Sequence, residues 1–190
     1  SRDEFRYEAA MTDIVILTPN PEDPSFAGQW PQVRDRLVSA LAEGGLVARS
    51  EAWTDHIDRA DGLAGADLVM PLVAWGYHRD HVRWMQACAT WQAAGVRMLN
   101  PATVLAWNSD KSYLKRLAEA GLPIPPTVWS EQVTPEEVAA AFDALGTEEL
   151  VLKPRVSGGG WQTTRLKRGE ALTEMPAGPA LIQPFIAALE

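Results

Sequence analysis

Lys153 ends the apolar run Val151-Leu152 and is followed, after Pro154-Arg155-Val156, by Ser157-Gly158-Gly159-Gly160. Three consecutive glycines let a backbone approach an anion closely and aim its N–H groups at it, while a lysine at a strand end adds a cation on a long stem. Together they have the chemistry of a polyphosphate clamp. Taken alone, the segment is better read as a Gly-rich hairpin with a solvated lysine. It is not a Walker loop, in which the lysine follows the glycines and opens a helix. Here Lys153 precedes them, and Gln162 to Leu166 read as a returning strand, so strand, glycine loop and strand would cover phosphates as a flap. Protein kinases use such a cover with a different residue order.

Lys111 and Arg155 are the other cations of this half of the chain that the pattern singles out, and a local cluster of Lys111, Lys153 and Arg155 could hold phosphates in an acidic protein. Lys111 follows Ser109-Asp110, which read as the N-cap of a helix running to Ala120 and stopped by Gly121. A lysine in a first turn opposes the helix dipole, and a nearby phosphate would relieve that. The three histidines, His56, His78 and His81, have no metal-ligand spacing, and no metal site is expected from them. Cys88 lies in an apolar helical stretch and reads as a small buried hydrophobe.

These residues need a scaffold, and the periodicity supplies one. Asp13 to Thr18 is a continuous β-branched run suited to a strand buried on both faces of a parallel sheet. Helical spacing covers Pro31 to Glu43, before Gly44-Gly45, and His81 to Ala94. Further strands are expected at Leu46 to Ala52, Asp67 to Val73 and Val96 to Leu99. Strands alternating with helices imply βαβ crossovers and a three-layer α/β unit. Beyond Asn100 come a short helix from Pro101 to Trp107, the Lys111 helix, and the stiff connector Pro123-Ile124-Pro125-Pro126. Thr134-Pro135-Glu136-Glu137 supplies an N-cap, an N1 proline and an N3 glutamate for a helix to about Leu145. Strands then follow at Glu149 to Lys153, Gln162 to Leu166 and Ala180 to Phe185. The boundary between the two units falls near Asn100 to Asn108, giving domains 11–100 and 101–190. Met11 reads as the natural start and residues 1–10 as a vector-derived tail.

With 190 residues, 46% of them hydrophobic, the chain can bury a sizeable core. Its net charge of −8 argues against non-specific nucleic-acid binding. No apolar run is long enough to span a bilayer and no signal-peptide core is present, so a cytoplasmic protein with no membrane partner is expected.

The series Asn100-Pro101, Trp107 to Lys111, Gly121 to Thr127, Val151 to Pro154, Ser157 to Gly160 and Leu181 to Ile186 resembles the ATP-grasp superfamily. It is similar to the branch that includes prokaryotic glutathione synthetase, ribosomal-protein glutamate ligase and O-ureidoserine cyclo-ligase. The resemblance covers most of Met11 to Glu190. It implies a preATP-grasp domain of three layers around a parallel sheet, followed by the first α+β subdomain of an ATP-grasp fold. It also implies ATP and Mg²⁺ as cofactors, with Lys111, Lys153, Ser157, Gly158, Gly159 and Gly160 at the phosphates. Gln183, Pro184, Phe185 and Ile186 would form the adenine hinge, with the Pro184 carbonyl accepting from the adenine amino group and the Ile186 N–H donating to the ring. Trp75, Tyr77 and His78, after the third strand, would face the acceptor substrate at the carboxyl edge of the first sheet, where open α/β sheets bind ligands.

The implied reaction is activation of a carboxylate by the ATP γ-phosphate and attack of an amine, or similar nucleophile, on the acyl phosphate. The partners are then small-molecule carboxylates and amines, and a homodimer is an admitted assembly. The family's metal ligands lie beyond the hinge, so the chain is expected to be a fragment of a larger ligase, inactive by itself, and no catalytic residue is assigned. A complete, non-catalytic nucleotide-binding or protein-interaction module is the competing reading. A dinucleotide enzyme ranks last, because Thr18-Pro19-Asn20-Pro21 has no G-x-G-x-x-G.

Overall fold

The first strand, Ile14–Thr18 (β1), is buried along its whole length, as its β-branched sequence requires, and forms the middle of a parallel sheet. In the computed structural model, residues 13–23 and 28–187 are described. The expected natural start at Met11 and the tail 1–10 lie outside them. Two compact units emerge, the first reaching Ala106 and the second beginning at Trp107.

In the first unit β1 is flanked by Ala48–Ala52 (β2) and Leu68–Met70 (β3), in the order β2-β1-β3. The helix Trp30–Glu43 (α1) starts with Pro31 in its first turn and ends at Gly44, followed by Gly45 at φ 75°, a left-handed turn that glycine adopts without strain. A short helix, Asp61–Ala64 (α2), precedes β3, and His81–Ala93 (α3) follows it. Asp80 caps α3 by accepting from the Arg83 N–H at 3.2 Å.

Alternate residues of β1 serve opposite layers. Ile16 packs with Trp30 and Val73 against Val33, Leu37, Val38 and Leu41 of α1. Val15 and Leu17 join Val69, Trp53, Leu63, Trp84 and Trp91 on the other side. Edge-on ring contacts link Trp53 to Trp84 at 5.4 Å and Trp84 to Trp91 at 5.5 Å, and the Trp91 Nε1–H donates to the His56 carbonyl at 2.8 Å. Cys88 is buried in this cluster, and burial pushes its thiol up to about 12, consistent with a packing role.

Two expected strands are shorter than the sequence suggests. The third stops at Met70, because Pro71 has no N–H to give the ladder and opens a 3₁₀ turn through Val73. Val96 to Leu99 makes only one parallel bridge, Met98 to Val69. Its hydrogen bonds are from the Val69 N–H to the Arg97 carbonyl at 2.8 Å and from the Leu99 N–H to the Val69 carbonyl at 2.9 Å. A three-residue β3 offers too little edge for a full fourth strand.

The helix Ala102–Asn108 (α4) spans the division between the units. In the second unit the helix Tyr113–Glu119 (α5) starts later than expected, leaving Asp110, Lys111 and Ser112 in a turn before it. The strands Val128–Ser130 (β4), Glu149–Pro154 (β5), Thr164–Lys167 (β6) and Ala180–Pro184 (β7) form an antiparallel sheet in the order β4-β7-β5-β6. Helix Pro135–Ala144 (α6) is capped by Thr134, whose hydroxyl accepts from the Glu137 N–H at 3.2 Å. Glu137 does not reach back to complete a capping box; its carboxylate accepts from the Ser130 hydroxyl at 2.5 Å, tying α6 to β4.

One face of this sheet, Leu150, Leu152, Leu166, Ala180 and Ile182, packs on Val138, Ala141 and Phe142 of α6. Full burial of each leucine contributes about 1.5–3 kcal/mol. The other face carries Val151 and Lys153 of β5 with Gln183 and Leu181 of β7. β4 escaped the sequence reading because its three residues follow the proline connector directly, and the expected strand from Gln162 begins instead at Thr164.

Candidate functional site

β5 alternates between half-buried and buried along Glu149 to Pro154, and the alternation decides which side chains reach the face away from α6. Leu150 and Leu152 go to the α6 core, so Val151 and Lys153 face away from it. On the neighbouring β7, Gln183 lies opposite Val151 and Leu181 opposite Lys153, so Gln183 shares the face of Lys153. Lys153 Nζ donates to Gln183 Oε1 at 3.1 Å, and Gln183 Nε2 donates to Thr127 Oγ1 at 2.8 Å. The Thr127 hydroxyl in turn donates to the Pro125 carbonyl at 2.7 Å. Gln183 is only 4% exposed, which makes it an internal brace for the Lys153 ammonium.

Lys111 reaches the same region from the turn before α5. Its ammonium donates to Ser157 Oγ at 2.6 Å, to the Ser157 carbonyl at 3.0 Å and to the Pro154 carbonyl at 3.4 Å. An ammonium has three protons, and these contacts engage all of them. Burial brings the Lys111 amine down to about 8, with the Lys153 charge acting in the same direction and Asp110 opposing both. Two lysines from separate elements therefore lie close enough to repel in the absence of an anion.

The glycine loop is two successive turns, closed by the Trp161 N–H on the Gly158 carbonyl at 3.1 Å and the Thr163 N–H on the Gly160 carbonyl at 3.0 Å. Gly159 at φ 60° and Gly160 at φ 77° need glycine for their backbone, and a Cβ at either would meet open space. Gln162, at φ 51°, also adopts the left-handed conformation, which is why the returning strand starts two residues later than its sequence suggests.

Arg155 corrects the expectation of a third phosphate-facing cation. Its guanidinium grips the Asp110 carboxylate, Nε at 3.0 Å from both oxygens and Nη2 at 2.8 Å from Oδ2. Burial would raise the Asp110 carboxyl, but Arg155 and the Ser112 N–H outweigh it and hold the group below the usual carboxylate range. No local pattern marks Asp110 as the partner of Arg155, because a bond across 45 positions leaves no periodic trace.

At the end of β7, Pro184 is half-buried, the Phe185 N–H donates to the Glu149 carbonyl at 2.9 Å, and Ile186 is 38% exposed. The Arg165 guanidinium lies 3.5 Å from the Phe185 ring centroid while Arg165 Nε donates to Glu149 Oε1 at 2.6 Å. This stacked cation was missed as well.

In the first unit Trp75 and Gly76 line a hollow of about 180 Å³ at the carboxyl edge of the sheet, with Asn20, Thr54, Arg79 and Arg83. The Trp75 carbonyl accepts from Trp53 Nε1 at 3.2 Å. Tyr77 stacks on Trp84 at 5.1 Å and meets His78 edge-on at 5.7 Å, so its ring packs on the core cluster. No group of three His, Cys, Asp or Glu residues suited to a metal ion occurs among the described residues, so no magnesium ligand set is assigned to them. Among the same residues no helix is long and apolar enough to cross a membrane.

Residues 14–100, a little under half of the chain, match a family model described as the N-terminal domain of D-cycloserine synthetase DcsG. No curated protein matches the chain by sequence. Among solved structures, the crystal structure of D-cycloserine synthetase DcsG superposes with a TM-score of 0.66 at 18% identity, over 92% of this chain and 59% of that one. A RimK domain ATP-grasp protein from Sphaerobacter thermophilus gives 0.58 at 18% identity, over 92% and 64%. D-alanyl-alanine synthetase A from Vibrio cholerae O1 biovar eltor gives 0.58 at 13%, over 94% and 60%. The chain thus spans about three-fifths of the length of these proteins. It has the fold of the amino-terminal part of ATP-grasp ligases: a parallel-sheet α/β unit followed by an antiparallel α+β unit.

Proposed function

We propose that this chain supplies the nucleotide-phosphate contacts of an ATP-dependent carboxylate–amine ligase, amine standing here for any comparable nucleophile. The observation that carries the reading is the convergence of Lys111 and Lys153 beside the Ser157 to Gly160 loop, each amine oriented by its own hydrogen bonds. Two adjacent cations without an anion between them are electrostatically unfavourable, and a polyphosphate relieves both at once. Ser157, Gly158, Gly159 and Gly160 then present N–H groups as a flap over the phosphates. The Pro184 carbonyl and the Ile186 N–H recognise the adenine edge, and Phe185 packs against the base. Trp75, Tyr77 and His78 belong to the acceptor side.

In such a ligase a carboxylate oxygen attacks the γ-phosphorus of ATP and ADP leaves. The amine nitrogen then attacks the acyl carbon, inorganic phosphate departs and the nitrogen loses a proton. Lys111 and Lys153 neutralise charge on the phosphoryl oxygens as the first bond breaks, and their prior orientation avoids reorganisation at that moment. Structures of PsnB are described as complexes with Mg and ADP; the donors described in this chain do not form a magnesium set, so no step here is assigned to the metal.

Hydroxylamine trapping tests the chemistry. Added to the natural full-length protein with ATP, magnesium and a panel of small carboxylates, it should yield a hydroxamate that depends on ATP. ATP turnover without any hydroxamate would exclude the acyl phosphate.

A further inference from the structure

We propose that Asp110 and Arg155 form a positioning pair that holds Lys111 on the end of β5, where it can meet a phosphate; the inference rests on the nucleotide reading above. Arg155 makes three kinds of contact with the turn before α5 and its surroundings. Its carbonyl accepts the Lys111 N–H at 2.9 Å, and its guanidinium grips Asp110 in a two-pronged bond. Its own N–H donates to the Pro179 carbonyl at 2.8 Å, just before β7, so the clamp is anchored to the sheet. Asp110 Oδ1 also accepts the Ser112 N–H at 2.8 Å, closing the turn from the other side.

The sequence of this turn has a competing conformation. Ser109 or Asp110 is a good N-cap, and Lys111 would then enter the first helical turn, as the sequence alone suggests. In the structure the Asp110 carboxylate takes both the Arg155 guanidinium and the Ser112 N–H, the Lys111 N–H goes to the Arg155 carbonyl, and the regular helix begins at Tyr113. The Lys111 ammonium is thereby carried to Pro154 and Ser157. There is an electrostatic consequence as well. The charged groups around Lys111 are Lys153, Asp110 and, through Asp110, Arg155 with Glu131 at 3.9 Å from its Nη1. With Arg155 in place, the Asp110 charge is neutralised locally and competes less with a phosphate for the Lys111 ammonium. Lysine could not replace arginine here, since a point charge lacks the planar fork that grips both carboxylate oxygens.

The test uses the 190-residue chain with two readouts: ATP affinity by calorimetry, and titration of the Lys111 ammonium by NMR of ¹³C-labelled lysine methylenes. Arg155→Ala and Arg155→Lys should each weaken ATP binding by about tenfold, and in Arg155→Ala the Lys111 titration should move up toward ordinary lysine. Asp110→Asn, which keeps an acceptor for the Ser112 N–H, guards against a variant that fails to fold and should weaken binding at least threefold. Variants that bind ATP within twofold of the parent, with the Lys111 titration unmoved, would overturn the inference even if their melting temperatures fell. If the parent chain binds no ATP while Arg155→Ala still shifts the Lys111 titration, the nucleotide reading fails and the positioning of Lys111 stands.

Discussion

Lys153 and Gln183 sit on adjacent antiparallel strands and meet through a 3.1 Å hydrogen bond, diagonal to the strand register that pairs Lys153 with Leu181. The bond fixes where a flexible four-carbon side chain places its charge. Because Gln183 is itself held by Thr127, the lysine is oriented by a relay that ends on the backbone of the proline connector.

Breaking that relay should cost both stability and affinity. Gln183→Leu removes the acceptor of Lys153 and the donor to the partly buried Thr127 hydroxyl, a loss of about 0.5–1.5 kcal/mol for each hydrogen bond. Urea unfolding should show a lower midpoint with an unchanged slope, and ATP affinity should fall several-fold. A variant as stable as the parent would mean that the relay contributes nothing.

Protonation of Lys111 gives a pH dependence of definite sign. Its folded-state value of about 8 lies below the 10.5 of an ordinary lysine. Between those values the unfolded chain binds the extra proton, so this group makes the fold more stable as pH rises across the window. ATP affinity should run the other way, falling as pH rises through about 8, because phosphate needs the ammonium. Lys111→Met should flatten both profiles in chemical unfolding and calorimetry at pH 7 to 10.

The loop should be sensitive to a single methyl group. Gly160 has φ 77° with open space where a Cβ would be, so Gly160→Ala adds strain and no clash. A loss of about 1–2 kcal/mol is expected. Thermal melting measures it, and an unchanged midpoint would show that the loop relaxes freely.

The scaffold behind β5 should fail in a different manner. Leu152 is fully buried between the sheet and α6, and Leu152→Ala should destabilise by about 2–5 kcal/mol through lost burial and a residual cavity. Near-native melting would place the core elsewhere.

Much of the fold could be read from local signals, since β1 is a continuous β-branched run and α1, α3 and α6 show helical spacing with caps or stops that act within a few residues. Thr134 caps α6, and Gly44-Gly45 end α1. What escaped depends on partners distant in sequence. Asp110 pairs with Arg155 as well as with the turn that opens its own helix, Arg165 stacks on Phe185, and Val96 to Leu99 finds too short a neighbour to form a strand. Pro71 did carry a visible stop signal for β3, and the apolar run around it hid that signal. In the site itself, Lys111, Lys153 and the glycines were legible as residue types. The brace from Gln183 and the clamp from Arg155 were not, because side-chain hydrogen bonds across strands leave no periodic trace.

The central claim is that Lys153 holds nucleotide phosphate, and calorimetry of ATP with magnesium on the parent chain and on Lys153→Ala tests it most directly. The account predicts measurable binding by the parent and at least a tenfold loss in the variant, since a charge-assisted bond to phosphate is removed. Equal affinity in the two proteins would contradict it.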